Sequence, residues 1–196
     1  MNYYVPNILT LARILITPLF VYILFLGGEN GYPWALVIFI MAGITDIIDG
    51  YLARRLQVVS KIGKLLDPAA DKILVLSAFI SFVTMDLIDV WMVVVIILRD
   101  LLVTAMRFIL EKKDRPMATS KVAKGKTAVQ ITSIIVILCY LSLRSYELTA
   151  LTTLIESVHL ILILMYITVI FTVYTGIDYV VANRAAIRTL VTSNTE

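Results

Sequence analysis

Six apolar stretches, each close to the length that crosses a bilayer, leave this chain few ways to fold. They run over residues 5–26, 33–54, 66–84, 90–111, 127–143 and 154–181, against the ~20 residues a helix needs to span the hydrocarbon layer. The expected fold is all-α: a polytopic membrane helix bundle with six transmembrane helices, one domain over residues 1–196 and no soluble domain. Composition agrees. Hydrophobic residues make up 60% of the chain and charged residues 16%, where a soluble domain holds nearer half and a quarter.

The segments between the stretches set the topology. Gly27 to Pro33 reads as a turn, rich in glycine and closed by proline. Met85–Asp89 is too short to be more than a turn. Residues 111–126 form the longest polar connection. The last stretch exceeds what a bilayer needs, so it is expected to tilt or to project into water as a helix. Twelve of the seventeen lysines and arginines fall in the 54–64 connection, the 111–126 connection and the C-terminal tail, which share one side if six spans alternate. The other side receives only Arg144. The positive-inside rule then puts both termini and both basic connections in the cytoplasm of a multi-pass protein of the cell membrane. Arg13, Lys72, Arg99 and Arg107 fall within or near spans and need partners or an aqueous cavity.

Several function classes drop out. The net charge of +3 has no basic stripe with interleaved aromatics, so no nucleic-acid partner is expected. A single cysteine, Cys139, excludes an internal disulfide and a cysteine zinc cluster. The N-terminus lacks a basic leader and a clear cleavage site, so an uncleaved first span is expected rather than a signal peptide. His159, the one histidine, stands near the outer end of the last stretch and reads as a packing or interfacial residue.

Against that apolar background four carboxylates stand out. Asp46-Ile47-Ile48-Asp49-Gly50-Tyr51-Leu52-Ala53-Arg54 is followed after eight residues by Gly63, then Asp67, then Asp71. An acidic residue at a helix centre in lipid costs ~2.5–3.5 kcal/mol, and such residues mark functional sites. Asp46 and Asp49 share a helix face, as do Asp67 and Asp71. Gly50 and Ala53 lie on the face of Asp46 and permit close approach of a ligand or helix. The 54–64 connection makes the two acidic helices antiparallel neighbours whose carboxylates can converge at the cytoplasmic interface. Four hard oxygen donors suit Mg²⁺ or Mn²⁺ held against a phosphate. Internal salt bridges with Arg54, Lys61 or Lys72 explain one pair at most, while a cation or proton pathway uses intramembrane carboxylates as well.

The pattern Asp-x2-Asp-Gly-x2-Ala-Arg-x8-Gly-x3-Asp-x3-Asp resembles the signature of the CDP-alcohol phosphatidyltransferases, and the chain matches all eight fixed positions. The opening Asn7-Ile8-Leu9-Thr10-Leu11-Ala12-Arg13 is similar to the family's Asn-x-x-Thr-x-x-Arg start. Arg99, Arg107 and Lys124-Gly125-Lys126-Thr127 look most like bacterial members that make phosphatidylglycerol phosphate. Those members usually carry Arg-Glu where this chain has Arg99-Asp100. Arg-Asp, Ser120-Lys121-Val122 and Thr127-Ala128-Val129-Gln130 are similar to relatives that make cardiolipin.

The resemblance implies displacement of CMP from CDP-diacylglycerol by sn-glycerol 3-phosphate. It implies that Asp46, Asp49, Asp67 and Asp71 are metal ligands for two ions of Mg²⁺ or Mn²⁺, and that Asp71 is also the general base. Asn7, Thr10, Gly50, Arg54, Ser60 and Gly63 are the expected CDP-diacylglycerol contacts. Asn7, after Pro6, is equally a natural helix N-cap. Arg107, Lys124 and Lys126 are candidates for the acceptor phosphate, with Arg99 in support. A homodimer among membrane lipids is expected from the resemblance. Phosphatidylglycerol or an inositol phosphate are alternative acceptors. A membrane prenyltransferase and a cation transporter are the alternatives from other classes.

Overall fold

The computed structural model describes the backbone of residues 5–56, 63–112 and 122–184, and within them the side chains of 15–45, 72–106, 108–110 and 125–184. Every described element is a helix: α1 (Val5–Leu26), α2 (Gly28–Leu56), α3 (Gly63–Thr84), α4 (Val90–Lys112), α5 (Val122–Ser145), α6 (Thr149–Ser157) and α7 (Leu160–Ala182). Gly125–Ser145 and Leu160–Ala182 are the two described stretches long and apolar enough to cross a membrane.

The first reversal is tighter than the sequence suggests. Only Gly27 stands between α1 and α2, and α2 already contains Pro33 near its start. Gly27 and Gly28 take positive φ (62° and 64°), a region open to glycine without a Cβ clash. The Gly31 N–H then donates to the Gly27 carbonyl at 2.9 Å and starts the new helix. A Cβ on Gly31 would lie 2.8 Å from the Ile23 carbonyl oxygen, so α2 leaves the turn pressed against α1.

Two more reversals share a second device. At the end of α3, Leu87 N–H donates to the Phe82 carbonyl and Asp86 N–H to that of Val83, both at 3.0 Å, with Asp86 left-handed at φ 55°. At the end of α5, Leu148 N–H reaches Leu143 and Glu147 N–H reaches Arg144, both at 3.2 Å, with Glu147 at φ 54°. Both are Schellman caps, which satisfy the last carbonyls of a helix. Met85–Asp89 is the turn the sequence suggests.

The last apolar stretch is not one helix. It breaks after Ser157, where His159 adopts φ 51° and separates α6 from α7. The His159 N–H donates to the Glu156 carbonyl at 3.0 Å, and its Nδ1–H reaches the same oxygen at 2.7 Å. Tyr140 Oη donates to Glu156 Oε1 at 2.5 Å and ties α6 to α5. The surplus length is therefore folded back as a separate nine-residue helix.

These reversals lie at one end of the bundle, the far end; the basic connections lie at the other. The described apolar core fills the far half of each long helix: Phe20 and Leu24 on α1, Phe39 on α2, Phe79 and Phe82 on α3, Met92 and Ile96 on α4, Ile134, Ile137 and Leu138 on α5, Met165 on α7. The Phe20 and Phe39 rings meet at 5.7 Å. α1 packs on α2 and α3, α5 on α2, α3 and α7, and α4 on α3 and α7. Outward faces are apolar too, with Leu15, Leu19 and Tyr22 on α1 and Ile163, Ile170 and Ile177 on α7 all exposed. An apolar exterior of this extent suits lipid as solvent.

Gly31→Ala is expected to force α1 and α2 apart and to lower stability by about 1–3 kcal/mol. Gly43→Ala meets open space and should be neutral or slightly stabilising. Thermal unfolding of both variants in one detergent checks the contrast.

Candidate active site

The acidic motif occupies two helix ends that flank one connection. Asp46 and Asp49 stand in the C-terminal half of α2, with Gly50 and Arg54 beyond them; Gly63 opens α3, and Asp67 and Asp71 follow in its second and third turns. At ~1.5 Å of rise per residue, each aspartate lies within roughly 15 Å of the helix end that adjoins residues 57–62. Their side chains lie outside the described residues, and so does Ser60 altogether. α2 and α3 are held through common neighbours, since each packs on α1 and on α5. Among the described contacts, the two helices are braced on these shared partners.

Asn7 and Thr10 stand in the first two turns of α1, whose helix begins at Val5. Asn7 is therefore inside the helix rather than at its N-cap. Arg107 lies two turns beyond Arg99 on α4 and Lys124 in the first turn of α5; the side chains of Asn7, Thr10, Gly50, Arg54, Gly63, Arg107 and Lys124 lie outside the described ones. Lys126 is described, and it is not a solvated loop residue. It is 6% exposed, inside α5, and its Nζ donates to Asp100 Oδ1.

Around that bond lies a buried polar layer, between the apolar core and the motif end. Asp100, also 6% exposed, accepts at the same Oδ1 from Arg99 Nη1 at 3.2 Å. Arg99 Nη2 donates across to Thr175 Oγ1 on α7 at 3.1 Å. Lys72 of α3 donates to Thr104 Oγ1 and reaches the Asp100 carbonyl at 3.5 Å. Thr104 Oγ1 donates to that same carbonyl at 2.6 Å. Lys72, Arg99 and Lys126 thus gather about one residue, drawn from three helices: Arg99 and Lys126 at the Asp100 carboxylate, Lys72 at its main-chain carbonyl. Gly176 makes the room: a Cβ there would lie 3.1 Å from Arg99 Cγ. Deeper along α5 and α7, Ser133 and Thr168 share a hydrogen bond at 2.8 Å.

The sequence marked Lys72 and Arg99 as charges needing partners, and both have them. Asp100 is the residue whose part in the site the sequence did not disclose. Its signal was available: an acid directly after an arginine in an apolar helix needs a cation from another helix, and Lys126 is the one that arrives.

Chemically the end of the bundle is divided. α2 and α3 bring four carboxylates, an all-oxygen donor set that fits a hard divalent cation. Among the described residues, which exclude those four side chains, no group of three or more His, Cys, Asp or Glu gathers. α3, α4 and α5 contribute Lys72, Arg99 and Lys126 around Asp100. Such an arrangement belongs to an intramembrane enzyme that handles phosphate esters.

The chain belongs to the CDP-alcohol phosphatidyltransferase family, whose model matches residues 3–184. It is similar to the CDP-diacylglycerol–glycerol-3-phosphate 3-phosphatidyltransferase of Bacillus subtilis (strain 168), at 36% identity over 94% of this chain and 97% of that one. The protein of the same name from Cereibacter sphaeroides is 36% identical over 75% of this chain and 68% of its own. A cardiolipin synthase (CMP-forming) of Streptomyces coelicolor is 35% identical over 57% of this chain and 54% of its own.

Enlarging Gly176 should disturb the basic layer in proportion to size. Gly176→Ala, which meets a flexible arginine stem, is expected to cost about 1 kcal/mol, and Gly176→Val about 2–3 kcal/mol as Arg99 is pushed off Thr175. Thermal unfolding in detergent reads both.

Proposed function

We propose that the chain transfers the phosphatidyl group of CDP-diacylglycerol to sn-glycerol 3-phosphate, releasing CMP and forming phosphatidylglycerol phosphate. One observation carries the reading: a complete eight-position donor motif on two helix ends, in a chain matched by the family model over residues 3–184. The acceptor follows from the relatives named for that reaction, one of them aligned over 94% of this chain. The pairing of two buried cations, Arg99 and Lys126, with the one carboxylate of Asp100 supports a phosphate-bearing acceptor.

The chain's own residues divide the work. Asn7, Thr10, Gly50, Arg54, Ser60 and Gly63 bind the CDP-diacylglycerol headgroup, Arg54 by forked hydrogen bonds to phosphate. Arg107, Lys124 and Lys126 hold the acceptor phosphate. Asp71 takes the proton from the acceptor hydroxyl. The hydroxyl oxygen bonds to the phosphorus that carries diacylglycerol, and the bond from that phosphorus to the CMP oxygen breaks with its electron pair leaving on CMP. Asp46, Asp49, Asp67 and Asp71 would hold two ions of Mg²⁺ or Mn²⁺, which when bound neutralise the pyrophosphate charge. Positioning and charge neutralisation provide most of the rate, since an alcohol is a weak nucleophile. No covalent phosphatidyl-enzyme forms.

The topology fits these substrates. α1–α5 and α7 each cross the membrane, α6 stays at the far side, and both termini and the motif end face the cytoplasm. Lipid then enters sideways from the bilayer, while the acceptor arrives from water. The assembly is a homodimer by family resemblance.

A second reading takes phosphatidylglycerol as acceptor, giving cardiolipin. Arg99-Asp100 and the similarity to the Streptomyces coelicolor protein favour it.

Purified protein with Mg²⁺ or Mn²⁺ should release CMP from CDP-diacylglycerol only when an acceptor is added, and faster with sn-glycerol 3-phosphate than with phosphatidylglycerol or inositol phosphate. CMP release with none of the three defeats the reading. Asp71→Asn should lower kcat by roughly a hundredfold or more while thermal unfolding stays near that of the wild type. Arg107→Ala should raise the KM for glycerol phosphate far more than that for CDP-diacylglycerol.

A further inference from the structure

The buried layer around Asp100 has a charge balance that packing alone does not explain. Two cations, Arg99 and Lys126, share one carboxylate in a place where Asp100 and Lys126 are each 6% exposed. Burying charge is costly, and replacing such a group by apolar side chains often stabilises a protein. A third cation, Lys72, reaches the Asp100 main chain from α3. The layer also retains unused donors: Arg99 Nε and Gln130 Nε2 are buried with no partner among the described residues. Gln130 is 3% exposed and stands one turn after Lys126 on the same face of α5. Cations and donors without acceptors describe one side of an anion site.

Asp100 is the residue all three cations share. Its carboxylate accepts from Arg99 and Lys126, and its carbonyl accepts from Lys72. Arg99 is also fixed from the other side by Thr175 and by the space above Gly176. A free lysine or arginine side chain gives up roughly 2 kcal/mol of rotamer entropy when a ligand immobilises it. Here that ordering is completed before any ligand arrives.

We infer that Asp100 is a positioning residue for the acceptor: it clamps Arg99 and Lys126 into one preset cationic unit that receives the acceptor's phosphate. The inference rests on the reading that this chain uses a phosphate-bearing acceptor. Asp100 itself touches neither the donor nor the reacting atoms, and it acts through the two cations it holds. Its carboxylate also keeps the unit from repelling itself, so the site meets its anion assembled rather than splayed.

The test is steady-state CMP release by the full-length protein, with each substrate varied in turn, on Asp100→Asn, Asp100→Glu and Lys126→Met. Asp100→Asn should raise the KM for sn-glycerol 3-phosphate roughly tenfold or more and leave the KM for CDP-diacylglycerol within about twofold. Asp100→Glu, which keeps the charge, should recover most of that loss, and Lys126→Met should reproduce it. A purely structural role would lower the amount of active protein and leave both KM values unchanged. Should Asp100→Asn alone fail to fold, Asp100→Asn combined with Lys126→Met is compared with Lys126→Met: release of Arg99 should raise the acceptor KM beyond that of the single variant, and an equal KM overturns the positioning role. An unchanged acceptor KM in a folded variant lacking the Asp100 charge overturns the positioning role. Absence of CMP release by the wild type with glycerol phosphate overturns the acceptor reading instead, so the two failures are distinct.

Discussion

A backbone amide surrounded by hydrocarbon has no water to bond, and the arrangement of this chain follows from that. Residues in the apolar stretches satisfy their own N–H and C=O groups by staying helical. Turns are pushed to the ends, where they are kept as short as the backbone allows. One glycine suffices between α1 and α2, and Schellman caps close α3 and α5. The same demand governs the side chains. Serines and threonines inside the helices return their hydroxyls to carbonyls one turn back, as Ser81, Ser133, Ser142 and Thr168 do. Charges collect in one layer where they can answer one another.

That layering links fold to chemistry. The far half of the bundle is packed with phenylalanine, leucine, isoleucine and methionine, and gives the helices a rigid base. Above it, the polar layer ties α3, α4, α5 and α7 through Lys72, Asp100, Lys126 and Thr175. The acidic ends of α2 and α3 come next, braced by α1 and α5. A headgroup with two phosphates and an acceptor with another bring several negative charges to an interface that would otherwise repel them from hydrocarbon. The carboxylates stand on α2 and α3 and the cations on α3, α4 and α5, so α3 carries both kinds of charge.

Much of this was written in the sequence, because a bilayer imposes a coarse code. Length and hydropathy located the long helices within a few residues, and the Met85–Asp89 turn with them. The break at His159 was hidden, because residues 154–181 read as one apolar stretch and the interruption depends on one left-handed backbone angle. The first turn was overestimated, since Pro33 is as acceptable early in a helix as in a loop. Helix bracing was not legible: nothing in the sequence marks α1 and α5 as the surfaces that α2 and α3 share. The acidic motif announced itself through spacing alone. Asp100 showed only that it needed a cation from another helix; which one was hidden, because Lys126 stands 26 residues away on α5.

The short reversals at the far end have a consequence for how the molecule looks from outside. Glycine and left-handed caps leave few residues there, and of the seventeen lysines and arginines only Arg144 stands at that end. Trypsin approaching from that side finds one peptide bond to cut, while nearly all of its sites lie across the membrane. An antibody faces the same poverty of surface. With the proposed orientation, the protein in an intact cell is close to invisible from without, and its exposure to proteases or labels becomes a direct report on which side of the membrane has been opened.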